Sequence, residues 1–139
     1  MVSEPREYSL WFADYGPKQG RRYPWEGRLP ETQGGVKQRF ERAAYRLHWH
    51  ERVRCELLLA GWRPSYEQWN ELALDYTRCA SGKRPDYANV VWSAKAILDG
   101  LQGRLIAEDD DAHIPLQTYR HAACKRADQG VRLKLLRLA

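Results

Sequence analysis

The chain predicts an α+β fold: a single small domain in which one mixed β-sheet is covered by two main helices, in the order β-α-β-α-β-β-β. Three observations carry this reading. Two stretches, 36–60 and about 89–101, place apolar residues at helical spacing. Short β-rich or alternating runs bounded by Gly and Pro separate and follow them. The length of 139 residues suits one ordinary domain with a real core and is short for two, so 1–139 reads as one unit.

The first strand is expected at 7–12, EYSLWF. A Gly- and Pro-punctuated loop follows at 13–35, long for a compact domain and therefore expected to be functional. It carries Lys18, Arg21, Arg22, Tyr23, Trp25 and Arg28, a basic and aromatic mixture suited to phosphates and bases. A lid that packs Tyr23 and Trp25 on the core has equal weight. The first helix, 36–60, lacks Gly and Pro; Phe40, Ala43, Ala44 and Leu47 are expected to begin its buried face, and Trp49, Val53 and Leu57 to continue it until Gly61 ends the helix. His48 and His50, two apart, do not share a face and read as surface or core-edge residues.

A second strand is expected at 71–79 and a turn at 81–85, SGKRP. The helix at 89–101 buries Val90, Val91, Ala94, Ile97, Leu98 and Leu101. Three more strands are expected around Leu105, at 113–123 and at 131–138.

Composition excludes several classes. No apolar run approaches the roughly 20 residues that a membrane helix needs, and the N-terminus lacks the basic-then-apolar layout of a secretory signal, so a cytosolic address is expected. Cys55, Cys79 and Cys124 are odd in number and show no C-x-x-C spacing, so they read as ordinary thiols. The net charge of +5 is moderate, but the positive residues cluster near the start, in the first helix and at the end. That distribution fits a polyanionic partner, and equally solvated helix faces with a basic tail.

The most informative stretch is 84–114, which sets Asp86 before the second helix and Glu108, Asp109, Asp110 and Asp111 after it. A helix of about 12 residues at ~1.5 Å each, followed by a return to the sheet, is expected to bring Asp110 or Asp111 beside Asp86. Gathered carboxylates repel unless a cation neutralises them, which points to Mg²⁺ or Mn²⁺, and a metal so held suits phosphodiester hydrolysis. Lys95, on the helix between the acidic clusters, is placed to stabilise charge on a phosphate. Spacing alone favours a plainer reading: a solvated acidic turn and a snorkelling lysine.

The segment resembles the RusA family of phage-type Holliday junction resolvases. In that family an Asp-x-Asp-Asn motif opens a helix, a lysine lies on it, an LD-G/A-L pattern follows and an Asp-Asp pair ends the unit. Here these read Asp86-Tyr87-Ala88-Asn89, Lys95, Leu98-Asp99-Gly100-Leu101 and Asp110-Asp111. Weaker similarity covers the strand around Tyr8-Ser9-Leu10, the strand before the motif and the final strand with Gly130-Val131-Arg132-Leu133.

The resemblance implies a Mg²⁺-dependent endonuclease (Mn²⁺ a substitute) that resolves four-way junctions in DNA recombination and repair. It also implies a homodimer acting in the cytoplasm of a bacterial host, phage- or prophage-encoded. Asp86, Asp110 and Asp111 are the implied metal ligands, and Asp86, position 88, Lys95 and Asp111 the implied catalytic set. The basic residues Lys18, Arg21, Arg22, Arg28, Lys83 and Arg84 are the expected DNA contacts.

Three departures stand out. Ala88 occupies the place of the motif's second Asp and cannot bind metal. Lys95 follows Asn89 by six residues rather than three, a shift of ~300° that leaves it on nearly the same helix face. The family's early Asn-rich motif is missing. With the rest of the motif intact, Ala88 reads as an inactivating replacement, so the chain is expected to be impaired. The rivals are a non-catalytic branched-DNA-binding protein on the same fold and, more weakly, a nuclease of flaps or forks.

Overall fold

The protein is described here by a computed structural model that covers residues 3–14, 23, 25–30 and 39–139. Lys18, Arg21, Arg22 and the expected helix start at 36 lie outside the described residues. Strand β1, Glu7–Ala13, alternates strictly, with Tyr8, Leu10 and Phe12 buried and Glu7, Ser9 and Trp11 outward, the pattern of a strand with one face on the core. Helix α1, Arg39–Leu59, packs Trp49, Val53 and Leu57 into the core. These residues are four apart and so lie on one stripe.

Leu47, expected in that face, is 68% exposed. Tyr45, not Leu47, lies one turn before Trp49 and packs against the core. The helix ends as Gly61 predicts. Gly61 has φ +106°, Trp62 N–H donates to the Leu57 carbonyl at 2.9 Å and Gly61 N–H to that of Leu58 at 3.2 Å, the paired closure of a Schellman end.

Strand β2 is Leu72–Ala80. It is followed by α2, Tyr87–Ser93, and α3, Lys95–Leu101, then β3, Leu116–Ala123, a 3₁₀ turn, Arg126–Asp128, and β4, Gly130–Arg137. The sheet order is β1-β4-β2-β3, with β4 antiparallel to both neighbours and β3 parallel to β2. The sheet is thus mixed, as expected; the parallel pair is joined through α2 and α3, as a parallel connection requires. The helices cover the face of Leu10, Phe12, Leu72, Leu74, Tyr76, Leu133 and Leu135, all buried, and leave the other face open. Among the described residues, no helix is long and apolar enough to cross a membrane.

Two expectations need correction. The helix at 89–101 is broken at Ala94 into α2 and α3. Ser93 is responsible: its hydroxyl lies 2.6 Å from the Val90 carbonyl, to which it donates, and 2.8 Å from the Tyr76 hydroxyl on β2. A serine that bonds back to the preceding turn competes with the helical ladder and bends the helix. Ala94 N–H then turns to the Val91 carbonyl, at 3.1 Å, rather than to that of Val90, a tighter turn than α-helical.

The strand expected around Leu105 is absent. Leu101 carbonyl accepts the N–H groups of Arg104, Leu105 and Ile106, and Trp69 N–H takes the Leu105 carbonyl at 2.7 Å. These bonds leave no ladder to build; only an isolated bridge, Gln102 to Ile106, remains. Leu105 and Ile106 are nonetheless buried, so the apolar signal reported burial rather than strand. The last two strands also start later or earlier than expected, at Leu116 and Gly130.

The Tyr76–Ser93 bond predicts an asymmetry. Tyr76 is fully buried, and burial pushes its phenol far up. Ser93→Ala strands that hydroxyl, at a cost of about 1–3 kcal/mol. Tyr76→Phe removes the hydroxyl and leaves Ser93 its bond to Val90, so it is expected to cost less, about 1 kcal/mol. Denaturant unfolding of both variants checks this; equal losses would show that the hydroxyl pair does not hold the bend.

Candidate active site

The loop from β2 to α2 is fixed at its start. Ser81 N–H and Oγ both donate to Gln129 Oε1, each at 2.9 Å. Gln129 Nε2 donates in turn to Asp14 at 3.1 Å, and Asp14 also pairs with Arg28 at 3.3 Å. Arg28, an expected DNA contact, is thus already matched with a carboxylate. Lys83 and Arg84 lie exposed on the same loop.

Asp86 caps α2 with extended backbone (φ −62°, ψ 151°), but its carboxylate makes no cap hydrogen bond. An Asp at this position ordinarily spends its side chain on the first-turn N–H groups; here the side chain is exposed. Tyr87, Ala88 and Asn89 are exposed beside it.

The break at Ala94 makes Lys95 the first residue of α3, and its ammonium is held by two carboxylates. Nζ lies 2.9 Å from Asp109 Oδ2 and 3.0 Å from Asp99 Oδ1, while Gln102 Nε2 donates to the other oxygen of Asp109. The bond to Asp109 holds Lys95 above its ordinary pKa. Burial raises the carboxyl of Asp99, and its hydrogen bond with Asp109 adds to this. Burial opposes ionisation of Asp109 too, but bonds from Lys95 and Asp99 outweigh it and hold that carboxyl below the usual range.

The rest of the acidic run is dispersed. Asp110 Oδ1 accepts from the His113 backbone at 2.9 Å and lies 2.6 Å from His113 Nδ1, contacts that lower its pKa. Asp111 accepts from Gln117 Nε2 at 3.2 Å, and Gln117 Oε1 accepts from the Tyr119 hydroxyl at 2.8 Å. Tyr119 is the common neighbour: burial pushes its phenol up to about 12, with Tyr87, Asp109 and Asp111 adding to the rise and Lys95 opposing it. The acidic run is thus tied through Gln117 to Tyr119 on β3 and through Asp109 to the start of α3, and Tyr87 at the start of α2 is near enough to act on the Tyr119 phenol.

Of the residues singled out from sequence, Lys95 and Asp111 reach this locus, and Asp86 and Ala88 flank Tyr87 there. Asp110 turns to His113 instead. The side chains that engage Lys95 are Asp99 and Asp109, which were not assigned to the site. The Lys95–Asp99 spacing of four was a legible helix-pair signal; the roles of Gln117 and Tyr119 had none.

The chemistry of the donors suits a hard cation, but the geometry does not assemble one. Among the described residues, no three His, Cys, Asp or Glu side chains are grouped to hold a metal ion. The expected joining of Asp86 with Asp110 and Asp111 is not found as a ligand set among the described residues. No protein-family model matches the chain, and no curated protein matches it.

Proposed function

We propose that this chain is a branched-DNA endonuclease of RusA type, acting on four-way junctions as a homodimer and impaired at Ala88. The observation that carries the reading is that Asp111 is tied through Gln117 to Tyr119 while Lys95 pairs with Asp109 of the same acidic run, residues within or beside the motif elements that resemble that family. The fold supports it by placing the motif loop and both short helices on a rigid parallel strand pair, where reactive side chains are held in position.

In an active form, Mg²⁺ or Mn²⁺ would supply an activated water and offset charge on the phosphate. Position 88 lies two residues from Asp86 in the first turn of α2 and is exposed, the place where the resemblance puts a second carboxylate that would join Asp86 in holding the ion. Lys95 is 56% exposed and would turn from Asp99 and Asp109 to a substrate phosphate. A second reading, a non-catalytic branched-DNA-binding protein on the same fold, is favoured by the lack of a metal-ligand group among the described residues.

Both readings require structure-selective binding, because affinity for DNA comes mostly from Lys and Arg contacts to phosphate and does not need the carboxylate. The chain as it stands is expected to bind a four-way junction as a dimer in preference to linear duplex, with affinity falling steeply as salt rises. Titrations at several salt concentrations, with the stoichiometry of the complex, decide this. Equal affinity for junction and duplex would remove both readings.

A further inference from the structure

Beyond Tyr119 the helix-facing side of the parallel pair changes character. Arg78 on β2 and His121 on β3 are register partners, each two residues past a tyrosine, Tyr76 or Tyr119, that faces the helices. Strand alternation puts both side chains on that same face. Arg78 Nε and His121 Nδ1 are buried, and neither has a hydrogen-bond partner among the described residues. Native structures leave few such groups unmet, and an unmet buried donor on a charged group is costly. Arg84, on the loop that carries Asp86, is close enough to act on His121.

We propose that Arg78, His121 and Arg84 form an oxyanion site at the carboxyl end of the β2–β3 pair, and that it takes a backbone phosphate of nucleic acid. Arg78 Nε–H donates to one phosphate oxygen and the Nδ1–H tautomer of His121 to a second. Arg84 adds charge from the exposed rim. Burial, with the positive potential of Arg78 and Arg84, holds the His121 imidazolium below its ordinary range, as expected of a cationic site lacking its counter-charge. The carboxyl ends of parallel strands are where open α/β sheets bind ligands.

The neighbouring charges select the kind of phosphate. Tyr119, one inward position or ~7 Å back along β3, lies under the influence of Asp109 and Asp111. A dianionic phosphate monoester would be repelled by them, whereas a singly charged diester fits between the basic and acidic ends. The inference rests on the reading of the chain as DNA-binding and is indifferent to whether it cuts.

The test is NMR on the full, isotope-labelled chain, titrated with a short single-stranded oligonucleotide and, separately, with inorganic phosphate. The oligonucleotide is expected to shift the Arg78 Nε–H and His121 ring signals saturably, with inorganic phosphate weaker. Arg78→Gln is expected to weaken oligonucleotide binding about tenfold, as for loss of one charge-assisted hydrogen bond, and to flatten the salt slope by about 0.7. Lys134→Gln, on the open face of the sheet, is expected to do neither. Oligonucleotide binding that leaves both signals unmoved would overturn the site, as would no binding of the oligonucleotide at all, while the DNA-binding reading stands or falls on the junction titration. A response to inorganic phosphate alone would overturn the nucleic-acid assignment.

Discussion

Ala88→Asp is expected to switch on nicking of a mobile four-way junction in the presence of Mg²⁺, with this chain itself nearly inactive. Ala88 is exposed in the first turn of α2, so an Asp there meets no packing penalty, and an acidic residue in a helix's first turn is mildly favourable. Folding stability should be unchanged or slightly higher. Changes merely in the outer shell of a metal site alter affinity or activity by about 10–100-fold, so a restored ligand should contribute at least ~100-fold. Two measurements bear on it: direct Mn²⁺ binding, absent in this chain and present in the variant, and the nicking rate. A folded Ala88→Asp protein that binds no Mn²⁺ and cuts no branched DNA with either ion would end the nuclease reading and leave the binding protein.

In the Ala88→Asp background, Lys95→Ala is expected to lower the nicking rate by ~10²–10³, the usual loss when one electrostatic stabiliser of a transition state is removed, with junction affinity nearly unchanged. Because Lys95 also bridges Asp99 and Asp109, a structural contribution must be separated, and pH does so. The carboxyl of Asp109 is held below its ordinary 3.8; that stability is present above pH 3.8 and lost as pH falls through the lower folded value. The carboxyl of Asp99 is held above 3.8, so it opposes folding increasingly as pH rises from 3.8 through its folded value, and more so without the ammonium. The stability deficit of Lys95→Ala should therefore be present at neutral pH and disappear at low pH. A deficit in unfolding with no loss of nicking rate would make Lys95 a structural partner of the acidic pair and nothing more.

Much of the architecture is legible locally. Strict alternation over Glu7–Ala13, the Gly61 stop after a helix without Gly or Pro, and the β-rich run that becomes β2 each report a period and a boundary that neighbouring residues specify alone. The pairing of Lys95 with Asp99 belongs to this class, because four residues is one helical turn. Gly100 is intermediate: its place in the motif is visible, but a Cβ there would meet Val53 Cγ2 at 2.9 Å, so its necessity lies in the contact of α3 with α1.

The site itself was decided in three dimensions. The hydroxyl pairing of Ser93 with Tyr76, 17 residues away, breaks the helix and makes Lys95 the first residue of a new one. Backbone bonds from Leu101 and Trp69 cancel the strand at Leu105. Asp109 is the member of the acidic run that meets Lys95, and a run of adjacent carboxylates carries no local signal for which one the turn will direct inward. Arg78 and His121, 43 positions apart in the chain, become neighbours only when β3 pairs in register with β2. Periodicity records which side of an element is buried; which polar groups meet depends on long-range hydrogen bonds and strand register, and these exist only once the chain has folded.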